Sequence, residues 1–355
     1  ARHFWLKPVA GSEAFVRRNK KKTPMAAEAR PRSRSPVARG AATVVVGPAR
    51  ATRLSAPVER AVQRALERAG GHAENVVVVL DLDETCFTAD RDDGLATSAW
   101  FEDLMKRWAP ILQDEAGMSF ADVLMECLAV VDCFYSMVAA KLTEKELPSM
   151  LKTCSDRGIA TIGLTARRPG LAPVTWQQLG DDSPLAFDSL APPLDKEAVL
   201  KLQQYLKANG HAAPDNPDKW EGILQDRGVW FTANANKGAI LRQTLKAGAH
   251  VIFADDSERH LHDVRDALDG HAASVELLHY TAAKEAAKER LDVASCNATL
   301  AKFFVALSEG KDPAFAELVA SKQRFLKSFI SRHLHDLEAQ RKPSDASLRS
   351  LAALL

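Results

Sequence analysis

The sequence predicts an α/β protein built on a parallel sheet. Short, wholly apolar runs rich in β-branched residues recur as VVVVLDLD (76–83), IATIGL (159–164) and VIFA (251–254). Runs of that length, apolar on both faces, belong to the interior of a parallel sheet. Helical patterns at 196–208, 237–247 and 258–269 intervene, as the crossovers between parallel strands require. Each run also leads into polar residues at its carboxyl end, where open α/β sheets bind their ligands.

Taken in order, residues 1–55 are dominated by Arg, Lys, Ala, Ser and Pro and predict a basic segment without regular structure. From Met25 the segment is rich in Ala, Arg and Ser and poor in acids. Organellar transit peptides and plain solvated tails share that composition. A nucleic-acid arm is disfavoured, because nothing aromatic or base-reading accompanies the charges. Ordered structure is expected from Pro57 with the helix VERAVQRALERAG, stopped by Gly70 and Gly71. The first strand follows at 76–83. Residues 98–147 carry apolar positions at three- and four-residue spacing and predict a helical insert. Its aromatic residues Trp100, Phe101, Trp108, Phe134 and Tyr135 are expected to form the insert's core, with one or two turned toward a substrate. The second strand is 159–164, the third VWFTA (229–233), the fourth 251–254 and the fifth SVELLHY (274–280). From residue 281 to 355 the pattern is helical, with Phe303, Phe304, Leu307, Phe315, Leu318, Phe325 and Phe329 needing burial. The expected organisation is thus a core of 56–97 and 148–280, an insert at 98–147 and a helical extension at 281–355.

Composition narrows the classes. The chain has 355 residues, 46% hydrophobic and 26% charged, close to an average globular protein. That excludes a wholly disordered chain, a collagen and an evident coiled coil. The net charge of +1 conceals a split. Residues 1–70 hold 16 Lys and Arg against 4 Asp and Glu, leaving 31 basic and 42 acidic residues for the other 285. The five cysteines (Cys86, Cys127, Cys133, Cys154, Cys296) are odd in number and lack C-x-x-C spacing. This argues against a disulfide framework or structural zinc and fits a reducing, intracellular setting, cytoplasmic or organellar. The near-apolar stretch 120–140 contains Asp122, Glu126 and Asp132, acids too costly for mid-bilayer, so it predicts a buried helix and no membrane partner.

The chemistry concentrates at the strand ends. The first run delivers Asp81, Asp83 and the Glu-Thr that follows; the second ends in Thr165-Ala166-Arg167. The third is followed by Asn236-Lys237-Gly238 at a helix start, and the fourth ends in Asp255-Asp256. Four carboxylates converging on one edge repel unless a cation sits among them. An all-oxygen donor set without a His or Cys cluster suits Mg²⁺ and not zinc. A carboxylate beside Mg²⁺ can attack phosphorus, and a second acid two residues on can move the proton. Thr165 and Lys237 would donate to the phosphoryl oxygens, and Arg167 could grip a phosphate with two parallel hydrogen bonds. Plainer roles compete. Thr165 could simply cap a helix, Arg167 could pair with a surface acid, and Lys246 competes with Lys237. His260 and His262 sit on a helical pattern and are expected at the surface or behind the acids.

At these residues the sequence resembles the haloacid dehalogenase-like superfamily, the aspartate-nucleophile phosphohydrolases. VVVVLDLDET (76–85) is similar to its first motif, IATIGLTAR (159–167) to its second, NKGAIL (236–241) to its third and VIFADD (251–256) to its fourth. All four occur in order. The combination is similar to a branch described only as a domain of unknown function, which brings no substrate with it. The resemblance implies a Rossmann-like core, with Asp81 as nucleophile and Asp83 as acid/base. It implies Mg²⁺ held by Asp81, the Asp83 carbonyl and Asp255, with Asp256 a further ligand or a support for one. Thr165 and Lys237 would bind the phosphoryl group, and the insert would be a cap restricting access to small substrates. The expected function is a Mg²⁺-dependent phosphatase acting on a small phosphorylated metabolite through an aspartyl-phosphate. A phosphomutase or phosphotransferase would use the same acids. A non-catalytic binding protein that retains the fold is the alternative from another class.

Overall fold

Residues on alternate positions of the predicted strands do go to opposite layers. In the strand Val76–Leu80 (β2), Val78 and Leu80 pack into one apolar cluster and Val79 into another. In His250–Asp255 (β8), Ile252 and Ala254 join the first cluster while Val251 and Phe253 join the second. This is the period of two of an extended chain buried on both faces. The computed structural model describes residues 43–135, 138–179, 185–187, 195–212, 220 and 222–300.

Within those residues the other strands are Val44–Ala51 (β1), Phe87–Ala89 (β3), Ala140–Leu142 (β4), Ala160–Thr165 (β5), Leu224–Asp226 (β6), Val229–Phe231 (β7) and Ser274–Tyr280 (β9). The main sheet runs β1-β9-β8-β2-β5-β7-β6. All its pairings are parallel except that of β6 with β7. From β2 the chain builds outward through β5 to β7, then returns to the opposite side of β2 for β8 and β9. That reversal is the crevice where open α/β sheets hold ligands.

Helices cover both faces. Ser55–Arg68 (α1) turns Val58, Ala61, Val62, Ala65 and Leu66 to the sheet, the stripe expected of an amphipathic helix. Its start is capped from afar: Glu144 accepts hydrogen bonds from Ser55 N at 2.9 Å and Ser55 Oγ at 2.8 Å. Leu147–Asp156 (α4) packs on the same face through Leu147, Met150, Leu151 and Cys154. On the other face lie Lys196–Ala208 (α6), Lys237–Thr244 (α7) and Glu258–Leu268 (α8). Ala172–Leu179 (α5) follows β5, and Ala282–Arg290 (α9) follows β9.

The segment between β2 and β5 builds a cluster of its own. Ser98–Ala116 (α2) and Phe120–Tyr135 (α3) bury Trp100, Leu104, Trp108, Val123, Val131 and Phe134 together with Cys296 and Leu300. Trp100 meets Phe134 edge-on at 5.5 Å. Thr97 caps α2 by accepting from Trp100 N at 3.3 Å. The acid Asp132 in apolar α3 is paired with Arg168, and among the described residues no helix is long and apolar enough to cross a membrane.

Two expectations need correction. Residues 44–51, expected to lack structure, form β1 at the sheet edge. Its order comes from backbone pairing with β9, since Val44, Val45 and Val46 stay exposed. Gly47, at φ +101°, permits the approach, for a Cβ there would lie 2.4 Å from Leu277 O. Residues 98–147 are not helical throughout: β4 pairs antiparallel with β3, making a two-stranded base for the insert, and Leu147 belongs to the core. The extension from 281 begins as α9 and residues 293–300, both helical. Residues 1–42 and 301–355, with the apolar positions expected in the latter, lie outside the described residues.

Candidate active site

Four neighbouring strands, β8, β2, β5 and β7, place the polar residues on one edge. Asp81 follows β2 directly, and its N–H continues the ladder to β8 by donating to Ala254 O at 2.9 Å. This sets Asp81 beside Asp255, the last residue of β8. Thr165 is the last residue of β5. Lys237 is the first residue of α7, whose start is capped by Asn236 Oδ1 accepting from Ala239 N at 2.8 Å.

Lys237 is wholly buried, and its Nζ donates to Asp81 Oδ1 at 2.5 Å and to Asp255 Oδ2 at 2.7 Å. One ammonium thus holds two carboxylates from adjacent strands. Against burial, which favours the neutral amine, Asp255 and Asp81 keep Lys237 protonated well above the usual lysine range. Asp255 is similarly opposed by burial, yet Lys237 and His260 hold it below the ordinary carboxylate range. It also accepts from Ser257 N at 2.8 Å, and His260 Nδ1 lies 3.0 Å from its Oδ1. Asp81 goes the other way: burial raises its proton affinity well above normal, and Asp255 and Asp256 add to this against Lys237. Burial and then Asp255 push Asp256 up to about 7.

Asp83 is held by Arg167. The guanidinium donates from Nε at 2.9 Å and from Nη2 at 2.8 Å to its two carboxylate oxygens. Arg167 Nη1 donates to Thr175 Oγ1 and Gln178 Oε1, each at 2.8 Å. The guanidinium carbon lies 4.4 Å from the centroid of the Tyr135 ring and 4.9 Å from that of Phe87. Arg167, expected to grip a substrate phosphate, here has its fork committed to Asp83, an acid of the site. Thr165 takes part in the same arrangement, its hydroxyl donating to Asp83 Oδ2 at 3.3 Å and accepting from Arg167 N at 3.1 Å.

Further residues came to light only in three dimensions. Glu84, buried at φ +57°, accepts from Ser98 N at 3.0 Å and from Ser98 Oγ, tying the loop after β2 to the start of α2. Lys284 of α9 lies 3.5 Å from Asp256 and 3.2 Å from Glu102. Gln178 donates to the carbonyls of Tyr135 and Val138 at 2.7 and 3.0 Å, anchoring the end of α3. No spacing in the sequence announces these contacts, because each joins separate elements. His260 is mostly buried behind Asp255, as expected of a supporting residue, whereas His262 faces Glu258 at 3.9 Å. Of the aromatic residues in the insert, Tyr135 lines a cavity of about 110 Å³ above Asp81, Asp83, Glu84 and Asp256.

Asp81, Asp255 and Asp256 can each bring one carboxylate oxygen into a group no more than 4.8 Å across. Two of the three hold protons above their usual range, which marks a surplus of buried negative charge. An all-oxygen group of this kind fits a hard divalent cation such as Mg²⁺. The Asp83 carboxylate, drawn to Arg167, is not in the group. A family model described as "Protein of unknown function (DUF2608)" matches residues 54–311. No curated protein matches the chain.

Proposed function

The chain belongs to that family of proteins of unknown function, DUF2608, and from its strand-end carboxylates we propose a divalent-cation-dependent phosphatase that works through an aspartyl-phosphate on Asp81. The observation that carries the reading is the Lys237 bridge between Asp81 and Asp255 with Asp256 alongside, at the switch point of a parallel sheet. The haloacid dehalogenase-like resemblance of the four motifs agrees with it.

In this reading an Asp81 oxygen forms a bond to phosphorus as the ester P–O bond breaks, and Asp83 gives a proton to the departing alkoxide. Water then attacks phosphorus, Asp83 takes its proton, and the bond to Asp81 breaks to release phosphate. Asp81, Asp255 and Asp256, with the Asp83 carbonyl, would hold Mg²⁺, which supplies positive charge against the phosphoryl oxygens. Lys237 keeps Asp81 in place and retains a third N–H for a phosphoryl oxygen. Arg167 and Thr165 fix where Asp83 stands. The insert's Tyr135 and the β3–β4 base close over the site and limit the entry of water.

The test is phosphate release from small phosphate monoesters by wild type and Asp81→Asn, with Mg²⁺ and with EDTA. The reading expects release that needs both Asp81 and the metal. Release unchanged in Asp81→Asn refutes it. Conversion of substrate without free phosphate would instead identify a phosphomutase. A binding partner retained by Asp81→Asn and in EDTA, with no turnover, would identify a non-catalytic protein.

A further inference from the structure

We propose that the cavity above the acids selects phosphate monoesters whose leaving alcohol is compact and uncharged or cationic, and rejects those carrying a second anion. This rests on the phosphatase reading of the same site. The first ground is size. At about 110 Å³ the cavity is well below the roughly 300–1,000 Å³ usual for drug- or cofactor-sized ligands, so little beyond the phosphoryl group is enclosed.

The second ground is charge. Four carboxylates line the cavity, Asp81, Asp83, Glu84 and Asp256, and Asp255 stands behind them. Among the described lining residues Arg167 is the sole lysine or arginine. Its nitrogens are engaged by Asp83, Thr175 and Gln178, and two aromatic rings pack against it. It has no direction left from which to meet a carboxylate or a second phosphate. Lys237 lies between Asp81 and Asp255, where it serves the reacting phosphoryl group. Lys284 is taken by Asp256 and Glu102 and does not line the cavity. With a divalent cation in place, the five acids are just balanced by that ion with Lys237, Arg167 and the Lys284 that pairs with Asp256. The phosphoryl dianion adds two more negative charges. A further anion on the alcohol would enter a field of its own sign, with no uncommitted lysine or arginine among the described lining residues to receive it. The remaining wall offers hydroxyls (Thr88, Thr97, Ser98), apolar surface (Phe87, Tyr135, Val138), Gln178 with its amide nitrogen on the Tyr135 and Val138 carbonyls, and His260 on Asp255. Such a wall accepts a short neutral chain or an ammonium group equally well on steric grounds.

The experiment uses the full chain with Mg²⁺ and three esters of equal length that differ in their end group. These are O-phosphoethanolamine (ammonium), 2-hydroxyethyl phosphate (hydroxyl) and 2-phosphoglycolate (carboxylate). The kcat/KM of each of the first two should exceed that of phosphoglycolate at least tenfold. Glu84→Gln, which keeps the shape and the Ser98 contact, should lower the ammonium-to-carboxylate ratio severalfold. Phosphoglycolate turned over as well as the others overturns the inference, as does a ratio unmoved by Glu84→Gln. Acetyl phosphate, a small donor without a second charge, separates the two levels of failure. Its Asp81-dependent hydrolysis with none of the three esters cleaved leaves the phosphatase reading standing and sinks the selectivity. Inertness toward acetyl phosphate and all three esters sinks both.

Discussion

Lys237→Met removes the ammonium and keeps most of the side-chain volume. In the wild type that group is wholly buried and bonded at 2.5 and 2.7 Å to Asp81 and Asp255. Deleting one partner of a buried ion pair costs about 3–5 kcal/mol, because the other is left charged and unpaired. Here two carboxylates are stranded, so the upper part of that range is expected in metal-free protein at pH 7.5. The sign of the pH dependence follows. Wild-type Asp255 is held below its ordinary range by Lys237 and His260 against burial. Its contribution is therefore present above its unfolded value of about 4 and lost only as pH falls toward its lower folded value. Without Lys237, Asp255 joins Asp81 among acids whose folded proton affinity is raised. Their contribution is present at low pH and lost as pH rises. The gap between variant and wild type should thus narrow from pH 7.5 to 5.5. Mg²⁺, which neutralises the same acids, should narrow it too, by the difference between the two proteins' binding terms, about 1.4 kcal/mol for each tenfold by which the variant binds the ion more tightly. Urea unfolding at both pH values, with and without Mg²⁺, measures all of this. A variant within about 1 kcal/mol of wild type, with a gap indifferent to pH, would refute the account of Lys237 as the neutralising group.

Gly238→Ala places a Cβ 2.0 Å from Asp263 O, so α7 must move off α8. A loss of about 1–3 kcal/mol and a fall in turnover are expected, read by thermal unfolding and phosphate release, since α7 carries Lys237. Metal-free protein should lose stability as pH rises from about 4 to about 7, because burial and Asp255 raise Asp256 to about 7. Mg²⁺ binding near neutrality should accordingly release protons, and calorimetry in two buffers of different ionisation enthalpy that gave the same heat would contradict this. Gln178→Leu strips Arg167 of one acceptor and frees the carbonyls of Tyr135 and Val138. It should cost about 1–3 kcal/mol and lower kcat, whereas full activity would show that Asp83 needs no such support.

The central sheet was legible because β2, β5 and β8 are buried on both faces, and so are written as short, mostly apolar runs. Asp81, Lys237, Asp255 and Asp256 were legible because the strand ends they follow were. Elsewhere the pattern failed where order comes from pairing and not from burial. β1 keeps three exposed valines before a Gly-Pro step, and β3, β4 and β6 have three residues each, too few to show a period. The partners of Arg167 were missed for a related reason. The position of Arg167 at a strand end is visible in the sequence, but its distance from Asp83, Thr175 and Gln178 is not. The contacts of Glu84 and Lys284 escaped notice because their partners, Ser98 and Asp256, belong to other elements.

The bond from Lys237 to Asp81 spans 156 positions of the chain, which has a bearing on how the protein is made. During synthesis the acids of β2 emerge long before their lysine, and both strands that will flank β2 are still to come. Burying Asp81 without a counter-charge is costly, so the growing chain has reason to keep its central strand in water. Arrival of α7 removes that penalty just ahead of β8, the neighbour that completes the pairing of β2. The lysine that holds Asp81 would then also set the moment at which the sheet can close, and a nascent chain halted before residue 237 should hold β2 undocked.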